Sequence, residues 1–245
     1  MTDGWLTLRA RTPARVGLAR VGGSVATVDH LAFQAAHAAA RDAVVATLDV
    51  EGLADRFAAF PVMRLRSAAA DRATYLRRPD LGRRLHPDAR DTLAPMLGEV
   101  AVVVADGLSA TAANRYAPMV VHELAALLAQ YGVRIGLIAL VEQGRVAVGD
   151  DLAQAVGAQA VVVLLGERPG LSAADSLGAY VTWRPGTATT DAERNCVSNI
   201  RDGGLAPLLG AAAIVRIVLA ARVQNVTGVR LVAGHATAVT QFAKL

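Results

Sequence analysis

Three uninterrupted apolar runs constrain this chain most: "VAVVVADGLSA" from Val100, "VRIGLIAL" from Val133 and "AQAVVVLLGE" from Ala158. None alternates apolar with polar residues, as a strand with one wet face does. Strands that are apolar on both sides need cover on both sides, which is the condition of a parallel sheet between helices. Helix-length segments separate them. The first carries Met119, Val120, Leu124, Leu127 and Leu128, with Ser109 as its cap, Gly132 at its end and Pro118 expected to kink or restart it. The second, "RVAVGDDLAQAVG", reads as a short extended piece and a helix capped near Asp150. Strand, helix, strand, helix, strand is the order of a three-layer α/β domain with a mostly parallel sheet.

Such a sheet aligns its loops along one edge. Three are expected to converge there: "ADGLSA", the turn from Glu142 to Gly149, and "GERPGLS". Beyond them, "SLGAYVTW" reads as a fourth strand at an edge, "GLAPLLGAAAIVRIVLAARVQNVTG" as a final helical region, and "VRLVA" as one more strand. Neither GxGxxG nor GxxxxGK[ST] occurs, which argues against a standard dinucleotide or ATP site.

Upstream, residues 1–95 read as a helical region, followed by the α/β domain over 96–245. Thr27 is expected to cap a helix whose small apolar positions, Leu31, Ala35, Ala38, Ala39, Val45 and Leu48, form one stripe suited to close packing. Downstream of it Arg64, Arg66, Arg72, Arg77, Arg78, Arg83, Arg84 and Arg90 are interleaved with Asp71, Asp80, Asp88 and Asp91. Mixed signs fit a polar interface better than a nucleic-acid arm. The formal charge is +4 and Lys244 is the sole lysine, so arginine, with its planar fork, supplies nearly all the cations. With 53% hydrophobic residues in 245, the chain has material for a sizeable core. Aromatics are only 4%, so alanine, valine and leucine must fill most of it, and part of the stability is expected from a partner. Cys196 is the lone cysteine, which rules out an intrachain disulfide and a cysteine cluster for structural zinc or iron–sulfur. No apolar signal core opens the sequence and no charge-free run reaches membrane length, so a cytoplasmic, non-membrane protein is expected.

Glu167 is the first chemical candidate, a carboxylate at the end of a buried strand, suited to accepting hydrogen bonds from ligand amides. The competing reading pairs it with Arg168 at a solvated strand end. Asp106 holds the same position one strand earlier and reads foremost as a turn staple. "TDAERNCVSNIRDGG" concentrates polar groups: Asn195 and Asn199 suit amide recognition, Arg194 suits a phosphate, and Cys196 suits packing on a large ligand rather than nucleophilic attack, since His122 and His235 are distant in sequence. No HExxH, HxH or GxSxG pattern occurs, so no metal ligand or catalytic residue is assigned.

"VVADGLSATAANRYA", "LLGERPGLSAADSLGAYVTW" and "TDAERNCVSNIRDGGLA", with "DHLAFQAAHAAARDAV" and "ADRATYLRRPDLGRRL" upstream, resemble the small (light) subunit of ethanolamine ammonia-lyase over roughly residues 14–232. The resemblance implies a Rossmann-like fold and a large-subunit partner, a (β/α)8 (TIM) barrel that holds ethanolamine. It implies adenosylcobalamin between the two subunits and a higher hetero-oligomer. The implied reaction converts ethanolamine to acetaldehyde and ammonia by a radical mechanism begun at the cobalt–carbon bond. Carried onto this sequence, the family's cobalamin contacts fall on Val146, Glu167 and Cys196. "VDHLAF" lacks the DxHxxG spacing with which some proteins replace the lower cobalt ligand, so the cofactor's own benzimidazole is expected to keep that place. The sequence departs from the family at "GGSVATVDH", where a proline is common, and in a short N-terminal extension. "MTDGWLTLRARTP" shows no convincing amphipathic targeting helix, and residence in a bacterial microcompartment is left open. The alternatives are a non-catalytic corrinoid-binding or structural subunit and, on charge alone, a nucleic-acid binder.

Overall fold

The computed structural model describes residues 3–233. The N-terminal part comprises α1 (Asp3–Arg9), a two-stranded hairpin of β1 (Arg20–Val21) and β2 (Ser24–Val25), α2 (Thr27–Val45) and α3 (Val50–Arg56). Then come β3 (Val62–Arg66), α4 (Arg72–Arg77) and α5 (Pro87–Asp91). The α/β part follows as β4 (Val100–Ala105), α6 (Ala110–Ala129), β5 (Ile135–Glu142), α7 (Val148–Val156) and β6 (Ala160–Gly166). It ends with β7 (Leu177–Trp183), β8 (Asn195–Ile200), α8 (Pro207–Gln224) and α9 (Val229–Ala233).

One six-stranded sheet organises the chain in the order β3-β5-β4-β6-β7-β8. The first four strands are parallel, and β7 and β8 are antiparallel additions. Val100, Val102, Val104, Ile138 and Leu140 face α6 and α8, while Ala101, Val103, Ala105, Ala139 and Val141 face α7. All six residues of β4 are buried, as its unbroken apolar run requires. This is the mostly parallel, three-layer α/β arrangement of a Rossmann-like fold, preceded by a helical stretch.

Several elements differ from the sequence reading. β3 comes from the region read as helical and pairs in parallel with β5 across residues 62–66. Its burial is uneven, so it lacks the continuous apolar signature. "SLGAYVTW" is an interior strand, because β8 lies outside it as the edge; β8 buries only Val197 and Ile200 and reads as a polar loop. "VRLVA" is the helix α9 rather than a strand. Pro118 does not restart α6, which runs as one helix from Ala110 to Ala129 with the proline inside it. The Asn114 carbonyl that Pro118 cannot bond accepts instead from the Arg56 guanidinium at 3.5 Å. Ser109 holds the N-cap position of α6, as the sequence suggests, but its hydroxyl donates to the Ala174 carbonyl at 2.8 Å and makes no capping bond.

Most of the expected stripe is not packed: Leu31, Ala35, Ala38, Ala39 and Val45 are exposed, and among the residues of α2 only Ala43 is buried, while Leu48, beyond the helix end, is buried in the core. α8 is the single described helix long and apolar enough to cross a membrane, but eight of its residues are buried, several against β7, β8 and α6. The arginine-rich segment is largely neutralised by carboxylates: Arg64 meets Glu51, Arg66 meets Asp88, Arg78 meets Asp80, and Arg84 and Arg90 both meet Asp151. His122 stacks near Phe57 and Phe60, and His235 lies outside the described residues.

Candidate functional site

From β4 the chain goes to β5 on one side and then crosses to β6 on the other, so the sheet has a switch point between β4 and β6. Open α/β sheets bind ligands at such a point. Here backbone fills it. Gly107 has φ +56°, and a Cβ there would stand 2.3 Å from the Gly166 carbonyl; a Cβ on Gly166 would stand 1.9 Å from the Ser109 carbonyl. Two glycines thus let the loops after β4 and β6 touch, and Leu108 donates its N–H to Gly166 at 2.8 Å.

The open space lies beside this contact, over the antiparallel half of the sheet. α8 covers one face of β7 and β8. On the other face α7 packs on β6 so closely that a Cβ on Gly149 would be 2.4 Å from Val163, and it reaches no further across. Tyr180 pairs with Val163 on one side and with Cys196 on the other, so these three side chains form a row on the α7 side. Tyr180 and Cys196 floor a cavity of about 450 Å³. Arg145, Val146 and Ala147 lead into α7 on one side of it, and Gly166, Glu167 and Arg168 leave β6 on another. Tyr75 and Arg83 come from the N-terminal part, and Asp191 and Arg194 from the approach to β8. Val146, Glu167 and Cys196 therefore line one space. Of the three loops expected at the edge, "ADGLSA" contributes only Leu108, while β7 and β8 supply a floor that strand-end reasoning did not anticipate.

Glu167 is not paired with Arg168. One carboxylate oxygen, Oε2, accepts from the Ser176 hydroxyl at 2.5 Å and the Asn199 backbone N–H at 3.2 Å. The other, Oε1, accepts no hydrogen bond from any described residue. Anchored through one oxygen and free at the other, the side chain is pre-positioned to accept from a ligand donor. Gly178 lies beneath it, where a Cβ would be 3.0 Å from Oε1.

Cys196 is exposed as a residue, yet partial desolvation of its sulfur raises the thiol pKa, and the Glu167 charge raises it further against a hydrogen bond with Tyr180. The Tyr180 hydroxyl is pushed up to about 12, chiefly by burial. Both groups are neutral near pH 7. A neutral thiol packs on a ligand; it does not attack one.

Three polar residues expected to meet a ligand serve the fold instead. Arg194 makes two 2.6 Å bonds to Asp150 and a third of 3.1 Å to Thr182. Asn195 pairs with both backbone groups of Gly228. Asn199, at φ +61°, turns the strand end and holds Glu167. Asp106 is the staple: buried, it accepts from Gln143 and Gly144 N–H at 3.0 and 3.1 Å, with Arg72 at 3.6 Å. Burial pushes its carboxyl up to about 6. Among the described residues no group of three or more His, Cys, Asp or Glu side chains is placed to hold a metal ion.

The model of the ethanolamine ammonia-lyase light chain (EutC) family matches residues 2–232. The chain belongs to that family. Several ethanolamine ammonia-lyase small subunits are similar to it in sequence. That of Azotobacter vinelandii is 46% identical over 235 residues, covering 93% of this chain and 87% of its own. That of Xanthomonas campestris pv. campestris strain B100 is 50% identical over 212 residues, 83% of this chain and 78% of its own. That of Pseudomonas syringae pv. tomato is 44% identical over 235 residues, 93% and 82%. As a light chain, this protein takes part in a lyase complex with a larger partner subunit.

Proposed function

We propose that the protein is the adenosylcobalamin-holding subunit of an ethanolamine ammonia-lyase, working in the cytoplasm with a barrel-shaped large subunit that carries the ethanolamine site. The single observation behind this reading is that Val146, Glu167 and Cys196 line one cavity whose floor is strand and whose walls are strand-end loops. The lining also fits the group chemically. A corrin ring presents apolar faces and a rim of amides, and the cavity offers Val146, Leu108 and Tyr180 for the first and the free Glu167 oxygen for the second.

Radical chemistry on ethanolamine, yielding acetaldehyde and ammonia, is what the cofactor supplies when bound. This chain's residues hold and orient. Glu167, fixed by Ser176 and Asn199, accepts from one peripheral amide. Val146 and Cys196 pack against apolar surface, the neutral thiol adding no charge. The exposed stripe on α2, with Val28, Leu31, Phe33 and Val45, is the docking face of the N-terminal region, residues 1–95, for the large subunit.

Co-expression with the large subunit tests the reading. Ammonia and acetaldehyde release are expected to require both chains, ethanolamine and adenosylcobalamin. Full activity of the large subunit alone, or an assembled complex that takes up no corrinoid, would refute it.

A further inference from the structure

Four arginines line the cavity, and they differ in what they face. Arg194 is consumed by Asp150. Arg83 comes within 4.0 Å of Asp191. Arg145 and Arg168 have no carboxylate partner among the described residues. Arg168 is exposed and makes no side-chain hydrogen bond there. Arg145 lies over the Tyr75 ring, its guanidinium carbon 4.4 Å from the ring centroid, and donates one Nη2 bond of 3.0 Å to the Tyr75 carbonyl. Its Nε is buried and has no acceptor. A buried guanidinium nitrogen without an acceptor is costly, and unpaired arginines at a cavity are a standing demand for an anion.

Both residues also line a second, smaller cavity of about 270 Å³, shared with Val44, Leu76 and Pro169. Arg145 and Arg168 therefore stand where two spaces adjoin, at the large cavity's boundary. On the cofactor reading above, on which this inference rests, the ligand's amide rim is neutral and its one anionic group is the phosphodiester of its nucleotide tail. We propose that Arg145 and Arg168 form a clamp for that phosphodiester, so that the site selects corrinoids that carry the phosphate. Arg145 is held over the Tyr75 ring, and its fork suits bidentate contact with phosphate oxygens. Arg168 supplies a second charge from the loop that also holds Glu167. The clamp and the Glu167 oxygen then recognise opposite polarities on one ligand, anion and amide donor, and so fix its orientation.

The test uses the assembled two-subunit complex and two probes with the same upper ligand, cobinamide and cobinamide phosphate, each read by competition against bound cyanocobalamin. Wild type is expected to prefer the phosphate ester by about tenfold or more. Arg168→Gln, which breaks no side-chain hydrogen bond or ion pair among the described residues, is expected to erase most of that preference while leaving cobinamide affinity unchanged. Arg145→Gln is expected to do the same, and its unfolding midpoint separates loss of the Tyr75 stack from loss of the clamp. Equal binding of the two probes by wild type overturns the clamp and leaves the corrinoid reading standing. Failure to bind cyanocobalamin at all overturns both. If the two variants instead release the large subunit and keep the phosphate preference, the arginines pair with carboxylates of the partner, and the clamp is refuted.

Discussion

Asp150 in α7 and Arg194 at the start of β8 are joined by two parallel bonds of 2.6 Å, with 9% and 3% of their side chains exposed. This pair fastens the helix bordering the cavity to the strand that floors it. Burial raises the Asp150 carboxyl pKa against the pull of Arg194. Removal of Arg194 leaves Asp150 buried without its counter-charge, which costs about 3–5 kcal/mol, whereas removal of Asp150 leaves Arg194 the exposed Asp191 at 3.4 Å. Arg194→Ala is expected to lower stability on that scale in urea unfolding, and Asp150→Ala by less. Asp150→Leu combined with Arg194→Met is expected to recover most of it. Single variants within about 1 kcal/mol of wild type would show the pair to be incidental.

Glu167→Ala is expected to weaken corrinoid binding by the worth of one charge-assisted hydrogen bond, about 1.5–3 kcal/mol. Glu167→Gln keeps an amide oxygen toward the ligand and is expected to lose less. An absorbance titration of the assembled complex reads both. Unchanged affinity in Glu167→Ala would remove this residue from the site.

Gly166→Ala places a methyl group against the Ser109 carbonyl, with no room short of a backbone shift. The expected cost is about 1–3 kcal/mol, the range for overpacked interiors. Because Glu167 follows directly, corrinoid affinity is expected to fall with the unfolding midpoint. A thermal melt with a parallel binding titration checks both; a variant as stable as wild type would mean that the two loops are not in contact.

Asp106 gives a pH signature of defined sign. Its folded pKa, about 6, lies above the ordinary 3.8. Between these values the folded state binds more protons than the unfolded state, so its contribution is fully present below 3.8 and is lost as pH rises through about 6. The difference in unfolding free energy between wild type and Asp106→Asn is expected to shift by roughly 2–3 kcal/mol from pH 4 to pH 6.5. A flat difference curve would place the carboxyl near its ordinary value.

Legibility in the sequence followed apolar continuity. β4, β5 and β6 were readable because both of their faces are dry, and the fold class follows from them alone. β3 and β8 were not, because edge strands carry exposed residues and lose the apolar run. In α9 the run "VRLVA" is too short for periodicity to separate strand from helix. The placement of Glu167 at a strand end was legible. That its partners would be Ser176 and Asn199 rather than Arg168 was not, since it depends on β7 and β8 folding back beside it. The same fold-back commits the Arg194 guanidinium to Asp150 and brings Cys196 onto the floor of the cavity.

A nineteen-residue helix that shelters one alanine has little in its own chain to hold it in place. Left bare, such an oily rod is a nucleus for self-association. On the docking proposed above, that face is covered only in the complex, and the chain's supply in the cell then has to keep step with that of its larger companion.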